Sequence, residues 1–213
     1  MNPALSKSMS GNQSGLPKLQ HTISESIKDS NLDLAFLYAD PLLMNVKIVD
    51  NFGKHLRDEL VPFNQPLSTE KEFDKIWQLI KQTERRFTIR REVANFENLK
   101  SVMAERPLML HISCHGDCYW DTKVKPPKNT YFLAFEGTEE SLCQLDKLTE
   151  ENLKQLLGDG LTSNLLIVFI SACHSEPIGQ LFKRVGVPVV VAVNSHTPIL
   201  DSVCSLFARH FYQ

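Results

Sequence analysis

The chain has 213 residues, 42% hydrophobic and 23% charged, with a formal net charge of -2. That is enough chain for one domain with a real core, and the composition excludes a fibrous or wholly disordered polymer. The near-neutral balance gives no electrostatic footing for nucleic acid or an anionic membrane as partner. No apolar run approaches a membrane span and the start, MNPALSKSMSGNQSG, has no apolar signal core, so a soluble, cytoplasmic protein is expected. Five cysteines (114, 118, 143, 173 and 204) are an odd number, and in that compartment they read as reduced thiols.

Residues 1–30 are rich in Ser, Asn, Gln and Lys without a period, and read as a disordered tail before a domain over 31–213. Leu32 to Tyr38 predicts a first buried strand, stopped by Asp40-Pro41. Met44, Ile48, Phe52, Leu56 and Leu60 recur at every fourth residue, which predicts a helix ended by Pro62. Thr69-Glu-Lys-Glu72 has the form of a capping box, opening an amphipathic helix with Phe73, Ile76, Trp77 and Ile80 on one face. Arg86 to Val93 alternates as an edge strand does, and Phe96, Leu99 and Val102-Met103 mark a short helix.

Leu108 to Ile112 predicts a second buried strand, followed by Ser113-Cys114-His115-Gly116-Asp117 and a loop from Trp120 to Asn129. Thr130 to Phe135 is a further strand, and Thr149 caps a helix carrying Leu153, Leu156 and Leu157, closed by Gly158-Asp-Gly160. Leu165 to Ile170 is continuously apolar, as a strand buried on both faces is, and ends in Ser171-Ala172-Cys173-His174-Ser175. A helix over 177–185, a strand over 187–193 and a last helix capped at Thr197-Pro198 complete the chain, with Leu200, Val203, Cys204, Phe207 and Phe211 on one face. Strands alternating with helices predict an α/β fold with a mainly parallel sheet.

Two of the buried strands end in reactive residues. If they run parallel, both ends lie on one edge of the sheet, where open α/β sheets place their sites. Neighbouring strands are about 4.8 Å apart, so His115 and Cys173 can meet although far apart in sequence. A thiolate is a nucleophile, and an imidazole beside it can take its proton. Gly116, lacking Cβ, permits close approach, and the backbone amides of Gly116 and Cys173 are candidate oxyanion donors.

HISCHGD (His111 to Asp117) followed by ISACHS (Ile170 to Ser175) resembles the CHAT domain of the caspase-like cysteine peptidases, over a stretch from about Leu32 to Tyr212. The resemblance implies a three-layer α/β/α sandwich, His115 as catalytic base, Cys173 as nucleophile, and the amides of Gly116 and Cys173 at the oxyanion. It implies a cysteine endopeptidase acting on protein or peptide substrates through an acyl-enzyme, with no metal or organic cofactor. The family's domain usually continues past the helix matching Ser202 to Tyr212, whereas this chain stops at Gln213, so it reads as a fragment or a reduced stand-alone domain. The alternative is a catalytically silent CHAT-type scaffold that binds a protein regulator or other protein partner.

Blander readings stand beside these. Cys173 can be an inert core thiol. His111, inside its strand, reads as a satisfied core histidine, and His174 as a surface or secondary-site histidine. His111, Cys114, His115 and Cys118 have zinc-like residue types but lack a second well-spaced pair. Glu139-Glu140 and Lys123, Lys125 and Lys128 read as solvated loop charges, and Trp120 as a neighbour of the cleft.

Overall fold

The computed structural model describes residues 30–213 apart from 51–53, 64, 84, 139, 140, 142, 158–163 and 197. The expected tail, all but Ser30, thus lies outside the described residues, as do Phe52, Gly158-Asp-Gly160, Thr197 and the Glu139-Glu140 pair.

Five strands, β1 (Leu34–Tyr38), β4 (Ile89–Val93), β5 (Met109–Ser113), β9 (Ile167–Ser171) and β10 (Val189–Val191), form a central sheet in the order β10-β9-β5-β1-β4. Every pairing in it is parallel. The strand period of two sorts the side chains between its faces. Ala35, Leu37, Leu110, Ile112, Val168 and Ile170 enter one core cluster, while Leu34, Phe36 and Phe169 enter the other. Helices α2 (Phe96–Ala104), α3 (Glu150–Leu157) and α4 (Glu176–Arg184) cover the first face, contributing Leu99, Leu153 and Phe182 among others. Helices α1 (Thr69–Gln82) and α5 (Asp201–Phe211) cover the second, through Ile76, Ile80 and Ala208. The result is the expected three-layer α/β/α sandwich.

Beside the sandwich stand a hairpin, β2 (Leu43–Val49) with β3 (His55–Pro62), and an antiparallel meander of β6 (Gly116–Asp121), β7 (Lys128–Glu136) and β8 (Leu145–Thr149). The hairpin corrects the helix expected from Met44, Ile48, Leu56 and Leu60. A spacing of four is also an even spacing, so Met44 and Ile48 fall on one face of β2 as readily as on one stripe of a helix. Leu56 and Leu60 are in fact exposed. The expected loop from Trp120 to Asn129 shrinks to residues 122–127, because Gly116 starts β6 directly after the β5 loop. The strand β8 was not expected; its Leu-Asp-Lys-Leu-Thr has one buried leucine and little β-branching to announce it.

Helix starts also differ. Thr149 caps α3 as expected, its Oγ1 accepting from Asn152 N at 3.3 Å while Asn152 Oδ1 accepts from Thr149 N at 3.2 Å. The last helix begins at Asp201 rather than at the expected Thr197-Pro198 cap, and its expected buried stripe is largely open, with Leu200, Val203 and Phe207 exposed and Ser205 and Ala208 buried. The capping box at Thr69 does not form. Ser68 is the N-cap without a side-chain bond, and Glu72 turns inward, 1% exposed.

Glu72 lies in the layer between α1 and the sheet. Its Oε2 accepts from Ser113 Oγ at 2.6 Å. Its Oε1 stands 3.3 Å from His111 Nε2, an ion-pair contact whose angle falls short of a hydrogen bond. His111 is the core histidine expected: fully buried, stacked between Phe36 and Phe169, with Nδ1 3.2 Å from the Tyr212 hydroxyl. Burial works to raise the Glu72 carboxyl, but His111, Ser113 and Ser171 together hold it below its ordinary value of 4.5.

A carboxyl lowered on folding stabilises the fold fully above its unfolded pKa and loses that contribution as pH falls through the folded value. Glu72→Gln is therefore expected to cost about 1.5–3 kcal/mol at pH 7, the scale of a hydrogen bond to a charged group. The difference from wild type should shrink as pH is lowered below 4.5. Denaturant unfolding at pH 7 and in acid checks it, and a difference that does not change with pH would show that the charge contributes nothing.

Candidate active site

β5 and β9 are neighbours, with Ser113 opposite Ser171 in the parallel register. Each serine stands two residues before a candidate catalytic residue, His115 and Cys173 respectively. The two loops stay in contact past the strand ends. Cys114 N donates to Ser171 O at 3.2 Å. Gly116 then packs on the Cys173 peptide: a Cβ there would lie 1.8 Å from Cys173 O and 3.3 Å from Cys173 N. No other residue fits at position 116 without moving the Cys173 loop, since real Cβ atoms do not approach backbone below 3.0 Å.

His115 is anchored on one side. Its Nε2 lies 2.9 Å from Gln65 O and 3.5 Å from Asp40 Oδ1. A carbonyl oxygen only accepts, so this bond puts the proton on Nε2 and makes Nδ1 the proton-accepting nitrogen of a neutral ring. Phe63 meets the imidazole edge-on, centroids 5.6 Å apart, and the side chain is 15% exposed. Asp40 is itself fixed: Oδ2 accepts from Leu67 N at 3.1 Å, and its own N–H donates to Glu136 Oε1 at 3.1 Å. Burial pushes the Glu136 carboxyl up, against the lowering effect of the bond from Asp40 N–H and with the Asp40 charge adding a little.

Cys173 lies in the turn between β9 and α4, half-buried. Its Sγ donates to Ile199 O at 3.3 Å and accepts from Ile199 N at 3.4 Å, and no hydrogen bond joins it to the His115 ring. The chain follows Cys173 with a left-handed residue, His174 at φ 53, whose Nδ1 lies 2.7 Å from Ser195 O. His174 is thus a half-buried residue that ties the Cys173 turn to the segment after β10, rather than a free surface histidine. Ser175 Oγ accepts from Val193 N at 2.9 Å and Glu176 Oε2 from Ser195 N at 3.1 Å, completing that latch. Ile199 also lines an apolar cavity of about 230 Å³ with Phe169, Val203, Cys204 and Phe207.

The neighbouring thiols differ in character from a nucleophile. Burial drives the Cys114 thiol far up, and burial, with Cys173 and Glu72 nearby, raises Cys204 to about 11. Both are held as thiols at neutral pH. The described residues contain no group of three or more His, Cys, Asp or Glu side chains placed to hold a metal, and His111 is committed to its stack. No helix among them is long and apolar enough to cross a membrane.

Sequence reasoning missed Asp40, the Gln65 carbonyl, Ile199 and Glu72. Asp40 read only as a strand stop, yet it stands at the carboxyl end of a predicted parallel strand, the edge where sites form. Glu72 stands on the apolar stripe with Ile76 and Ile80, which marks a buried carboxylate rather than a cap. The contacts of Gln65 and Ile199 are through main chain and leave no mark in the residue types.

None of the curated proteins matches the chain in sequence. A sequence profile of the CHAT domain, however, matches residues 15–213, a span that takes in both candidate loops and every described strand and helix. With the parallel sheet and the two loops at its carboxyl edge, that match makes this chain a member of the CHAT-domain family, relatives of the caspase-like cysteine peptidases.

Proposed function

We propose that the chain is a cysteine endopeptidase whose nucleophile is Cys173 and whose base is His115. The observation that carries this reading is the packing of Gly116 against the Cys173 peptide, which holds the two loops side by side. Cys173 Sγ attacks the peptide carbonyl, its proton passing to His115 Nδ1, the nitrogen left free by the bond of Nε2 to Gln65 O. The protonated imidazole then gives that proton to the leaving amine, and water hydrolyses the acyl-enzyme. Asp40, 3.5 Å from Nε2, favours the imidazolium while it lasts. The amides of Gly116 and Cys173 are the proposed oxyanion donors, a contact commonly worth about 3–4 kcal/mol each. Before attack the sulfur exchanges its bonds with Ile199 for the imidazole, so the geometry described is a resting arrangement.

That hold on the sulfur is also what favours the second reading, a silent scaffold module that keeps the fold and binds a protein partner. The two differ in one measurement. Cleavage of a broad peptide library is expected from the wild-type chain and is expected to fall about 10³-fold or more in Cys173→Ala and in His115→Ala, the scale set by removing a member of a catalytic constellation. Binding of a partner that survives both substitutions, with no cleavage by wild type, would leave only the scaffold.

Gly116→Ala tests the carrying observation. Its Cβ must displace the Cys173 carbonyl. Reaction of Cys173 with a thiol-directed electrophile, read on its own tryptic peptide, is expected to change about tenfold or more, since misplacement by an ångström can cost up to about 10²-fold. An unchanged rate in a folded variant would show that the two loops are not coupled through residue 116.

A further inference from the structure

Beneath the two loops, the Glu72 carboxylate sits at the end of β5, the strand that leads to His115. Ser113, two residues before His115, donates to it at 2.6 Å, and Ser171, two residues before Cys173, is near enough to help lower its pKa. These serines are register partners across β5 and β9, so the carboxylate lies at the seam where the strands end. Glu72 is itself fixed by α1, which is joined to α5 through Lys75 Nζ to Ser205 Oγ at 3.1 Å and Ser68 N to Asp201 Oδ2 at 3.3 Å. The group is 1% exposed and cannot meet a substrate. Resting on the Cys173–His115 reading, we propose that Glu72 is a positioning residue, which sets the placement of His115 against Cys173 by holding Ser113 at the seam between β5 and β9.

A charged carboxylate suits this task better than an amide. Ionised, both oxygens only accept, so it takes the Ser113 hydroxyl and faces His111 Nε2 at once. An amide would turn a donor toward one of those groups and weaken that hold. The groups that face the carboxylate are His111 and Ser113 from β5, Ser171 from β9, Cys204 from α5 and Tyr212 just beyond it. A looser hold on Ser113 lets the loops drift apart, and the imidazole then serves the thiol less well.

The test needs no known substrate. Alkylation of each cysteine by iodoacetamide is followed against pH by mass spectrometry of its peptide in the full chain. Exposed Cys143 is the reference for the reagent, and buried Cys114 reports loosening of the fold. His115→Ala is expected to move the Cys173 rate profile to higher pH. Glu72→Gln is expected to move it the same way and to slow Cys173 at neutral pH by about tenfold, within the range for small misplacements, while Cys114 stays protected. A buried negative charge that acted only through its field would do the reverse on removal, because its loss favours the thiolate. A profile that Glu72→Gln leaves in place or moves to lower pH, with His115→Ala still moving it up, overturns the positioning role alone. Labelling of Cys114 in step with Cys173 overturns it too, leaving Glu72 a packing residue. A profile that His115→Ala does not move overturns the Cys173–His115 reading itself. Should Glu72→Gln fail to fold, Ser113→Ala, which removes only the 2.6 Å bond, is read against the same outcomes.

Discussion

The constraint on which the rest depends is the parallel pairing of β5 with β9, in a register that sets Ser113 opposite Ser171. Parallel neighbours point their carboxyl ends the same way, about 4.8 Å apart, so whatever follows them must share a narrow space. That crowding explains the residue types there. Gly116 has no side chain because the Cys173 carbonyl occupies the place of one. Ser171 and Ala172 are small and buried for the same reason. Ser113, which ends β5, needs a polar partner in an otherwise apolar layer, and Glu72 supplies it.

Much of this was legible in the sequence because it rests on long, one-sided signals. Leu108 to Ile112 and Leu165 to Ile170 are apolar on both faces, which only a strand covered by helices on each side requires. From that followed the parallel sheet, the shared edge, and the proximity of residues 115 and 173. The core assignment of His111 held because strand alternation sends it to the same face as Phe36 and Phe169, between which it is stacked.

What was not legible failed for definite reasons. Met44, Ile48, Leu56 and Leu60 satisfy a helical and a strand period alike, and only the pairing of β2 with β3 decides between them. Thr69-Glu-Lys-Glu72 satisfies a local motif, but burying Glu72 against His111 and Ser113 draws the carboxylate off the helix start. In α5 the apolar residues outnumber those the sandwich can cover, so the stripe that looks buried is half exposed. The partners of the candidate catalytic groups, Gln65 O and the main chain of Ile199, belong to residue types that carry no chemical signature.

The resting contacts of the sulfur bear on whether such a site can work. Cys173 Sγ is engaged by both main-chain groups of Ile199, at 3.3 and 3.4 Å. Thiols are weak donors and weak acceptors, and even ordinary hydrogen bonds contribute only about 0.5–1.5 kcal/mol net. Releasing the sulfur therefore costs little beside the several kcal/mol that preorganised donors supply to a developing oxyanion. Ile199 lies in the stretch between β10 and α5 and borders an apolar cavity. His115, by contrast, is fixed from two segments, by Asp40 after β1 and by Phe63 and Gln65 after β3, and Asp40 is held in turn by Leu67 and Glu136. On the proposed reading, His115 is thus the more firmly held member of the pair and Cys173 the one that moves. A chain so built would hold the proposed nucleophile idle at small cost and still keep the proposed base in place for it.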